Sequence, residues 1–411
     1  NSKAFPYGKL RLSVAQVGHD APLYALENYY AQTTAGDGWT AGIAFPLPDA
    51  TGTSTTAYSN SATLGNPLLK PEKVTSFEIG ADLRFVNNRI GLDVTYYQSK
   101  SVDQIIPAPI AGSTGYQQQY LNSGSIENKG FEVALNLTPV KTKDWRWDIG
   151  ANWSTNKSEV LELANGVNEL FLGGFEGSAI YAIVGEQYGS IYGSRWLRDD
   201  NGNIVIDDVQ FLSNGDPNPT YGYPIQDARV GVIGDVNPDW IAGISTNLSY
   251  KGLALNVLMD VRQGGDMWDG TRGALNFFGM TEETENRGEM TVFEGVLSDG
   301  QANTIEVPLS QSWYQGLGSG FGGPTEQFVE ESSYIKLREV SISYTIAPKV
   351  LEKTPIASID ISLIGRNLWL STDYKGVDPE TSLTGSNHSQ GMDYFNMPGV
   401  RSFGVNLRLT L

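Results

Sequence analysis

The sequence predicts an all-β fold, a transmembrane antiparallel β-barrel, and three observations lead to this prediction. Apolar and polar residues alternate over stretches of about ten residues, which is the length that a tilted strand needs to cross a bilayer. Short connections between these stretches alternate with long ones, as turns and external loops do in outer-membrane barrels. No run approaches the roughly 18 consecutive apolar residues of a membrane-spanning helix.

The clearest hairpin lies within 74–100. The odd-numbered residues of Phe77–Phe85 are apolar, and the even-numbered residues between them are polar or glycine. After the turn-forming Val86-Asn87-Asn88 the alternation resumes, with apolar residues at Ile90, Leu92, Val94 and Tyr96. Successive side chains of a strand point to opposite faces. We therefore expect the apolar face of each strand to contact lipid and the polar face to line the lumen.

The preceding and following segments extend this pattern. A first strand is predicted at Lys9–Val17, before a connection rich in Gly, Ser, Thr and Ala. A second hairpin has strands at 131–137 and 145–153 and a turn at Pro139–Asp144. Its residues Trp145 and Trp153 are spaced like the aromatic girdles at the two edges of the apolar band. The alternative is a soluble β-sandwich with a core lined by tryptophan.

The C-terminal half completes the set of strands. A third hairpin starts at Trp240 and turns at Lys251-Gly252. The strand at 334–346 changes the phase of its alternation, which predicts a β-bulge near Arg338. Strands at 359–363 and 403–411 follow. In total we predict about ten membrane-length strands, with a shorter loop at 101–125 and long external loops at about 18–73, 158–239, 263–333 and 370–399.

Composition and charge exclude several classes of function. There is no cysteine, which removes disulfides, thiol catalysis and cysteine-based zinc sites. The net charge of −18 disfavours nucleic-acid binding. The two histidines, His19 and His388, lie far apart in the sequence, in predicted loops, so a catalytic or metal-binding constellation is not indicated. We therefore predict no enzyme activity, no cofactor and no metal.

One acidic run requires a choice between two interpretations. The segment Asp199–Asn203 contains carboxylates and amides of the kind that bind calcium, but its spacing does not fit an EF-hand loop. Asn201-Gly202 is instead typical of a two-residue hairpin turn, and we favour that turn.

Seven segments, in this order along the chain, resemble the SusC/RagA-type TonB-dependent outer-membrane transporters of the Bacteroidota. They are Leu10–Gly18 (LRLSVAQVG), Asn66–Glu72 (NPLLKPE), Asn128–Glu132 (NKGFE), Asn237–Trp240 (NPDW), Asp260–Asp266 (DVRQGGD), Tyr334–Val340 (YIKLREV) and Gly365–Leu368 (GRNL). The resemblance implies that residues 1–411 are the C-terminal portion of a plugged barrel of about 22 strands. The plug domain and the N-terminal strands would then lie outside this sequence. Leu411 differs from the aromatic residue on which many barrels end.

The same resemblance implies a function and partners. Such a transporter imports a bulky nutrient, an oligosaccharide or a peptide, across the outer membrane. It works with a SusD-like surface lipoprotein and with TonB, which would contact the missing N-terminal region, and it can form a dimer of transporter–lipoprotein pairs. The competing hypothesis is a SusC-like barrel that serves as a non-transporting scaffold in a larger surface complex.

Aromatic residues in the loops are candidate contacts for the cargo or the partner. Aromatic rings can stack on sugar faces or pack on peptide side chains, although each of these residues could instead pack between loops. The candidates are Tyr116, Tyr120, Trp196, Tyr221, Tyr223, Trp268, Trp313 and Tyr394.

Overall fold

The computed structural model describes residues 4–35, 42–48, 52–164, 166–175, 177–383 and 390–410, so that His388 and Leu411 lie outside the described residues. Its main element is a single ten-stranded sheet whose strands follow one another in chain order, each antiparallel to its neighbours. The prediction of about ten strands is thereby confirmed. The strands are β1 (Tyr7–His19), β2 (Glu72–Phe85), β3 (Ile90–Val102), β4 (Ser125–Lys141), β5 (Trp145–Glu162), β6 (Trp240–Tyr250), β7 (Leu253–Gln263), β8 (Tyr334–Thr345), β9 (Ser358–Thr372) and β10 (Ser402–Thr410).

The register of the sheet brings most of the alternating apolar positions of neighbouring strands onto one face. Ile79 of β2 lies opposite Leu12 of β1 on one side and Tyr96 of β3 on the other. Tyr96 in turn lies opposite Phe131 of β4, with the two ring centroids 5.0 Å apart. Leu12 is 72% exposed. A continuous exposed apolar face of this kind suits contact with lipid.

The opposite face is polar, and long side chains cross glycines on it. Arg11 of β1 reaches over Gly80 to Asp93 of β3 in a two-pronged ion pair, with N–O distances of 2.6 and 2.5 Å. A Cβ at Gly80 would lie 2.8 Å from the Arg11 guanidinium. Tyr97 crosses Gly130 in the same way and donates a hydrogen bond to Asn156 at 2.8 Å. Glycine is needed at these positions because a side chain would block the crossing.

The predicted bulge at Arg338 is confirmed. Leu258 of β7 pairs with Glu339, and the next residue, Met259, pairs with Leu337, so Arg338 has no partner in the ladder. The pairing of β8 with β9 has a register shift at the same place, between Leu337 and Glu339. On the β9 side of this shift, Asn367 has a φ of 51°. These irregularities lie where the ten-stranded sheet, which we call the wall, meets the loops, and they direct Arg338 towards groups outside the sheet.

The turn predicted at Pro139–Asp144 begins later than expected. β4 continues to Lys141, because a register shift between Leu137 and Val140 accommodates Pro139. Proline has no N–H to give to a ladder, and bulges are among the positions where sheets tolerate it. The chain reverses at 142–144, where the N–H of Trp145 donates to the Thr142 hydroxyl at 2.9 Å.

Short and long connections alternate between the ten strands. The short ones are 86–89, 142–144, Lys251-Gly252 and 346–357, and the long ones are 20–71, 103–124, 163–239, 264–333 and 373–401. Since the long connections all follow odd-numbered strands, they leave the sheet on one side, as predicted. No helix among the described residues is long and apolar enough to cross a membrane.

The long connections contain short elements of their own. Their helices are α1 (Gly270–Phe277) and α2 (Gln311–Gln315), while α3 (Pro348–Leu351) lies in a short connection; 3-10 turns occur at Gly112–Thr114, Glu282–Asn286 and Thr325–Phe328. The short strands are Tyr30–Gln32, Thr34–Ala35, Ile43–Ala44, Leu47–Pro48, Ser54–Thr55, Tyr58–Asn60, Thr63–Leu64, Ile105–Pro109, Gln118–Asn122, Glu169–Phe175, Ser178–Ile183, Ser190–Gly193, Gly231–Asp235, Asp266–Asp269, Met290–Thr291, Val307–Pro308, Val329–Glu331 and Met392–Asp393.

Three long connections, 163–239, 264–333 and 373–401, pack together into one body that we call the loop cap. Its core contains side chains from all three, namely Ile180, Ile191, Trp268, Phe328 and Met392. A second cluster joins the cap to the wall through Ile126 of β4 and Val160 of β5, with Leu163, Leu170 and Ala182. The cap is thus a folded structure attached to the barrel wall.

A charge on the apolar face should destabilise the barrel far more than a charge on the polar face. We expect Leu363→Arg to cost about 2–4 kcal/mol at mid-membrane depth, because Leu363 of β9 is exposed on the apolar face. The neighbouring Ser362→Arg is the matched control, since Ser362 pairs with Ser343 on the polar face. Urea unfolding of the full-length protein in lipid vesicles measures the free energy of unfolding of both variants. Equal destabilisation by the two variants would contradict the assignment of the faces.

Candidate functional site

The loop cap is organised by the short strand Asp266–Asp269. This strand pairs antiparallel with Val329–Glu331 and parallel with Met392–Asp393. It therefore joins the two ends of the connection 264–333 to the connection 373–401. Helix α1 begins directly after this strand. We call this three-stranded arrangement the cap junction.

Two buried carboxylates face each other across the cap junction. Asp269 pairs in register with Asp393, and the two residues are 1% and 0% exposed. Asp269 caps α1 by accepting a hydrogen bond from the Arg272 N–H at 2.8 Å. Asp393 accepts hydrogen bonds from the Tyr374 hydroxyl at 3.1 Å and from the Thr271 hydroxyl at 3.3 Å. Burial raises the pKa of Asp269 to about 6; the N–H of Arg272 opposes this shift and the Asp393 charge adds to it.

Cations beside the junction neutralise part of this negative charge. Arg272 forms ion pairs with Glu330 at 2.7 Å and with Glu283 at 3.0 Å. Lys375 pairs with Glu283 at 2.8 Å. Burial tends to raise the pKa of Glu283, but the hydrogen bond from Lys375 and the charge of Arg272 prevail and lower it. This network connects α1, the 3-10 turn at 282–286 and the third long connection.

A second ionic cluster attaches the cap to strand β8. Lys336 binds Asp378 at 2.6 Å and Glu380 at 2.5 Å, while Arg338 binds Glu380 and also Asp260 of β7 at 2.6 Å. Burial alone would raise the pKa of Glu380, but hydrogen bonds from Arg338, Lys336 and Tyr334 outweigh it and lower the pKa to about 2. Lys336 and Arg338 belong to the segment YIKLREV, so this segment fixes the third long connection to the wall.

The acidic run at Asp199–Asn203 forms a hairpin turn, but with three residues in the loop and not two. The Asp199 N–H donates to the Asn203 carbonyl at 2.9 Å, which leaves residues 200–202 in the loop, and Gly202 has a φ of 87°. The carboxylate of Asp199 accepts hydrogen bonds from the backbone N–H groups of Asn201 at 3.0 Å and Asn203 at 2.8 Å. This carboxylate stabilises the longer turn and is already satisfied by it.

Within the described ranges, no group of three or more His, Cys, Asp or Glu side chains is placed to hold a metal ion. His19, predicted in a loop, is the last residue of β1, because that strand continues to pair with β2 as far as Glu72. Its Nδ1 lies 3.8 Å from the Glu72 carboxylate.

The eight predicted contact aromatics fall into different environments. Trp268 and Tyr394 stack with ring centroids 6.1 Å apart in the cap core, and Tyr223 stacks on Trp313 at 5.4 Å. Trp196, Tyr223 and Trp268 are buried, at 8%, 8% and 5% exposure. The remaining candidates are half-buried: Tyr116, Tyr120, Tyr221, Trp313 and Tyr394. The buried rings hold the loops in place, and direct contact of any of the eight with cargo or partner stays a prediction.

One exposed aromatic cluster was not selected from the sequence. Phe277, Phe278 and Phe321 contact one another edge to face, with centroids 5.2–6.4 Å apart. Phe278 and Phe321 are 65% and 57% exposed, and the nearby Met280 is 72% exposed. We call these four residues the Phe patch. The consecutive Phe277-Phe278 was a visible signal, but nothing in the sequence indicates that Phe321 joins them.

The buried Asp269 should make the cap junction more stable at lower pH. Its pKa rises from 3.8 to about 6, so its contribution to stability is full below pH 3.8 and is lost as the pH rises through about 6. The loss is on the order of 3 kcal/mol. Hydrogen-exchange protection of 266–277, corrected for intrinsic rates, should therefore fall between about pH 5 and pH 7.5. This pH range is higher than the range around pH 2 in which Glu380 becomes protonated and loses its ion pairs.

Asp269→Asn should remove the part of this pH dependence that comes from Asp269, because the amide cannot ionise; Asp266, whose pKa is also raised by burial, would keep its own contribution. Asp200→Asn, which changes an exposed acid in the same cap, should leave it unchanged. A pH profile that is identical in the wild type and in Asp269→Asn would disprove the role of Asp269.

Comparison with known proteins places this architecture in a family. The family model described as "TonB dependent receptor-like, beta-barrel" matches residues 4–257. TonB-dependent receptor P3 of Formosa agariphila is 28% identical over 367 residues, covering 84% of this chain and 34% of that protein. TonB-dependent receptor SusC of Bacteroides thetaiotaomicron is 25% identical over 406 residues, covering 94% of this chain and 35% of that protein. The chain thus spans about a third of the length of these relatives.

A solved structure shares the fold over the whole chain. The structure described as the RagAB peptide transporter superposes with a TM-score of 0.70 at 20% identity, covering 100% of this chain and 41% of that one. The predicted antiparallel β-barrel fold is confirmed. Since the family model covers more than half of the sequence, this chain belongs to the TonB-dependent receptor family of outer-membrane β-barrel proteins.

Proposed function

We propose that the chain forms the C-terminal wall and external loops of a SusC-like transporter that imports a bulky nutrient with a SusD-like lipoprotein as its lid. The plug and the segment that contacts TonB would belong to the rest of a longer polypeptide. Such a transporter could also assemble as a dimer of transporter–lipoprotein pairs. The names of the relatives support this proposal, because one is SusC and the solved neighbour is described as a peptide transporter.

The observation that carries the proposal is the loop cap. Three long connections on one side of the sheet share a core that includes Trp268 and Phe328, with ion pairs at Glu283 and Glu380 around it. A simple pore has no use for a folded body at its mouth. A transporter that closes over its cargo needs a shaped rim on which a lid can seat.

The Phe patch supplies a suitable anchor for such a lid. Its rings lie on the loop side, after β7: Phe277 and Phe278 stand at the end of α1, and Phe321 joins them from later in the same connection. Exposed aromatic clusters of this kind are typical of protein interfaces, where a few aromatic anchors provide most of the binding energy. Acidic residues Glu282 and Glu285 follow directly and are exposed, so a partner with basic residues around an apolar socket would match.

Charges within the Phe patch should therefore prevent assembly with the lipoprotein. We expect the double variant Phe278→Asp with Phe321→Asp to reduce co-purification of the SusD-like protein by about 30-fold or more, which corresponds to about 2 kcal/mol at an interface anchor. Growth on the cargo should be lost in parallel.

The matched control is Val350→Asp, which charges an exposed apolar residue in α3, at the short-turn end of the wall. It should leave both assembly and growth intact. If the double variant assembles normally, the Phe patch is not the anchor. If assembly is lost while growth persists, import does not need the lipoprotein and its proposed role as the lid is wrong.

A further inference from the structure

A cavity of about 540 Å³ lies in the polar face of the wall where β2–β5 meet the loop cap. Asn128 of β4 pairs with Ser158 of β5, and Asn156 pairs with Gly130. These positions continue the face on which Tyr97 crosses Gly130. The cavity, which we call the wall pocket, therefore opens on the lumen side and at the loop end, where incoming cargo first meets the wall. Its volume is in the range of ligand sites.

Side-chain amides at the wall pocket have unused hydrogen-bonding capacity. Gln104 and Asn128 line it, and their amide groups make no hydrogen bond to any other described residue. Asn156 accepts a hydrogen bond from Tyr97 through Oδ1, so its NH₂ group remains available. An amide side chain offers a donor and an acceptor side by side. That arrangement matches the N–H and C=O groups of a peptide main chain.

The floor of the wall pocket is apolar. Ile126, Leu163, Leu170 and Ala182 are at most 9% exposed and form one cluster, and the partly buried Ile106 packs against it at the edge. Aliphatic surface of this kind favours an aliphatic side chain, which gains about 25 cal/mol per Å² of apolar area removed from water. A sugar ring would bring hydroxyl groups that the floor cannot satisfy.

Charge also restricts the ligand. Glu72 is the one carboxylate among the described lining residues, and no lining residue is basic. Its Oε1 accepts a hydrogen bond from the Ile105 N–H at 2.7 Å, and its Oε2 lies 3.8 Å from His19. An anionic ligand group would find no cationic partner here and would be repelled by Glu72. The pocket therefore suits a group that carries no negative charge.

We propose that the wall pocket binds a neutral peptide segment. Gln104, Asn128 and Asn156 would pair with main-chain groups of the segment, and one aliphatic side chain would lie on the floor against Ile106. This inference rests on the proposed import function. It names the class of cargo: the part of the cargo that the wall pocket recognises is a peptide.

Binding of a defined peptide to the full-length transporter tests the proposal. The probe is an N-acetylated, C-amidated pentapeptide of alanines with a central leucine, and titration calorimetry measures its Kd. Asn128→Ala should weaken binding about tenfold, as expected for the loss of a main-chain hydrogen-bond pair. Asn136→Ala is the control, because Asn136 lies on the same face of β4 near the short-turn end and should leave the Kd unchanged.

A second comparison tests the floor. Ile106→Ala should weaken the leucine peptide severalfold more than a peptide with alanine at the centre, and an aspartate at the centre should abolish binding. A neutral malto-oligosaccharide should not bind. If the wild type binds the oligosaccharide, or binds neither peptide, or if Asn128→Ala binds the leucine peptide normally, the proposal is overturned.

Uptake by cells separates this inference from the proposed function. Energy-dependent import of some cargo by the wild type, together with unaltered peptide binding in Asn128→Ala, would refute the wall pocket and leave transport standing. Absence of any import would refute transport itself.

Discussion

Every backbone N–H and C=O group in a membrane-spanning segment must be hydrogen-bonded within the protein, because hydrocarbon offers no partner. The ten antiparallel strands meet this requirement by pairing in chain order, from β1 to β10, except along the outer edges of β1 and β10, which pair with no strand among the described residues. The same pairing fixes which residues share a face, so the strict alternation around Ile79 becomes one apolar surface. The polar lumen face, with the Arg11–Asp93 pair, is the other half of that arrangement.

The lumen face and the loop cap depend on departures from regular pairing. Gly80 and Gly130 leave room for long side chains to cross a strand. The bulge at Arg338 places a guanidinium between Asp260 and Glu380, which joins the wall to the cap. The regular part of the sheet provides the membrane span, and its irregular positions provide attachment for the body that carries the candidate sites.

The wall could be predicted almost entirely from the sequence, because alternation is a local signal that survives in every strand. The bulge at Arg338 was visible for the same reason. The loop cap was not predictable, since pairs such as Asp269–Asp393 and Trp268–Tyr394 join residues more than a hundred positions apart. The turn at Pro139 was misplaced because proline marks both turns and bulges. Phe321 was missed because its partners are distant in sequence.

The bulge at Arg338 also determines how the loss of one codon from β8 would affect the barrel and its external loops. Leu337 lies on the apolar face before it, and Val340 lies on that face after it. Loss of the Arg338 codon would leave an uninterrupted alternation, so the strand would keep its orientation in the membrane and lose the ion pairs of Arg338 with Asp260 and Glu380. Loss of a codon outside the bulge would instead turn the part of the strand beyond it inside out. The gene can therefore change the anchoring of its external loops at the bulge without disturbing the barrel.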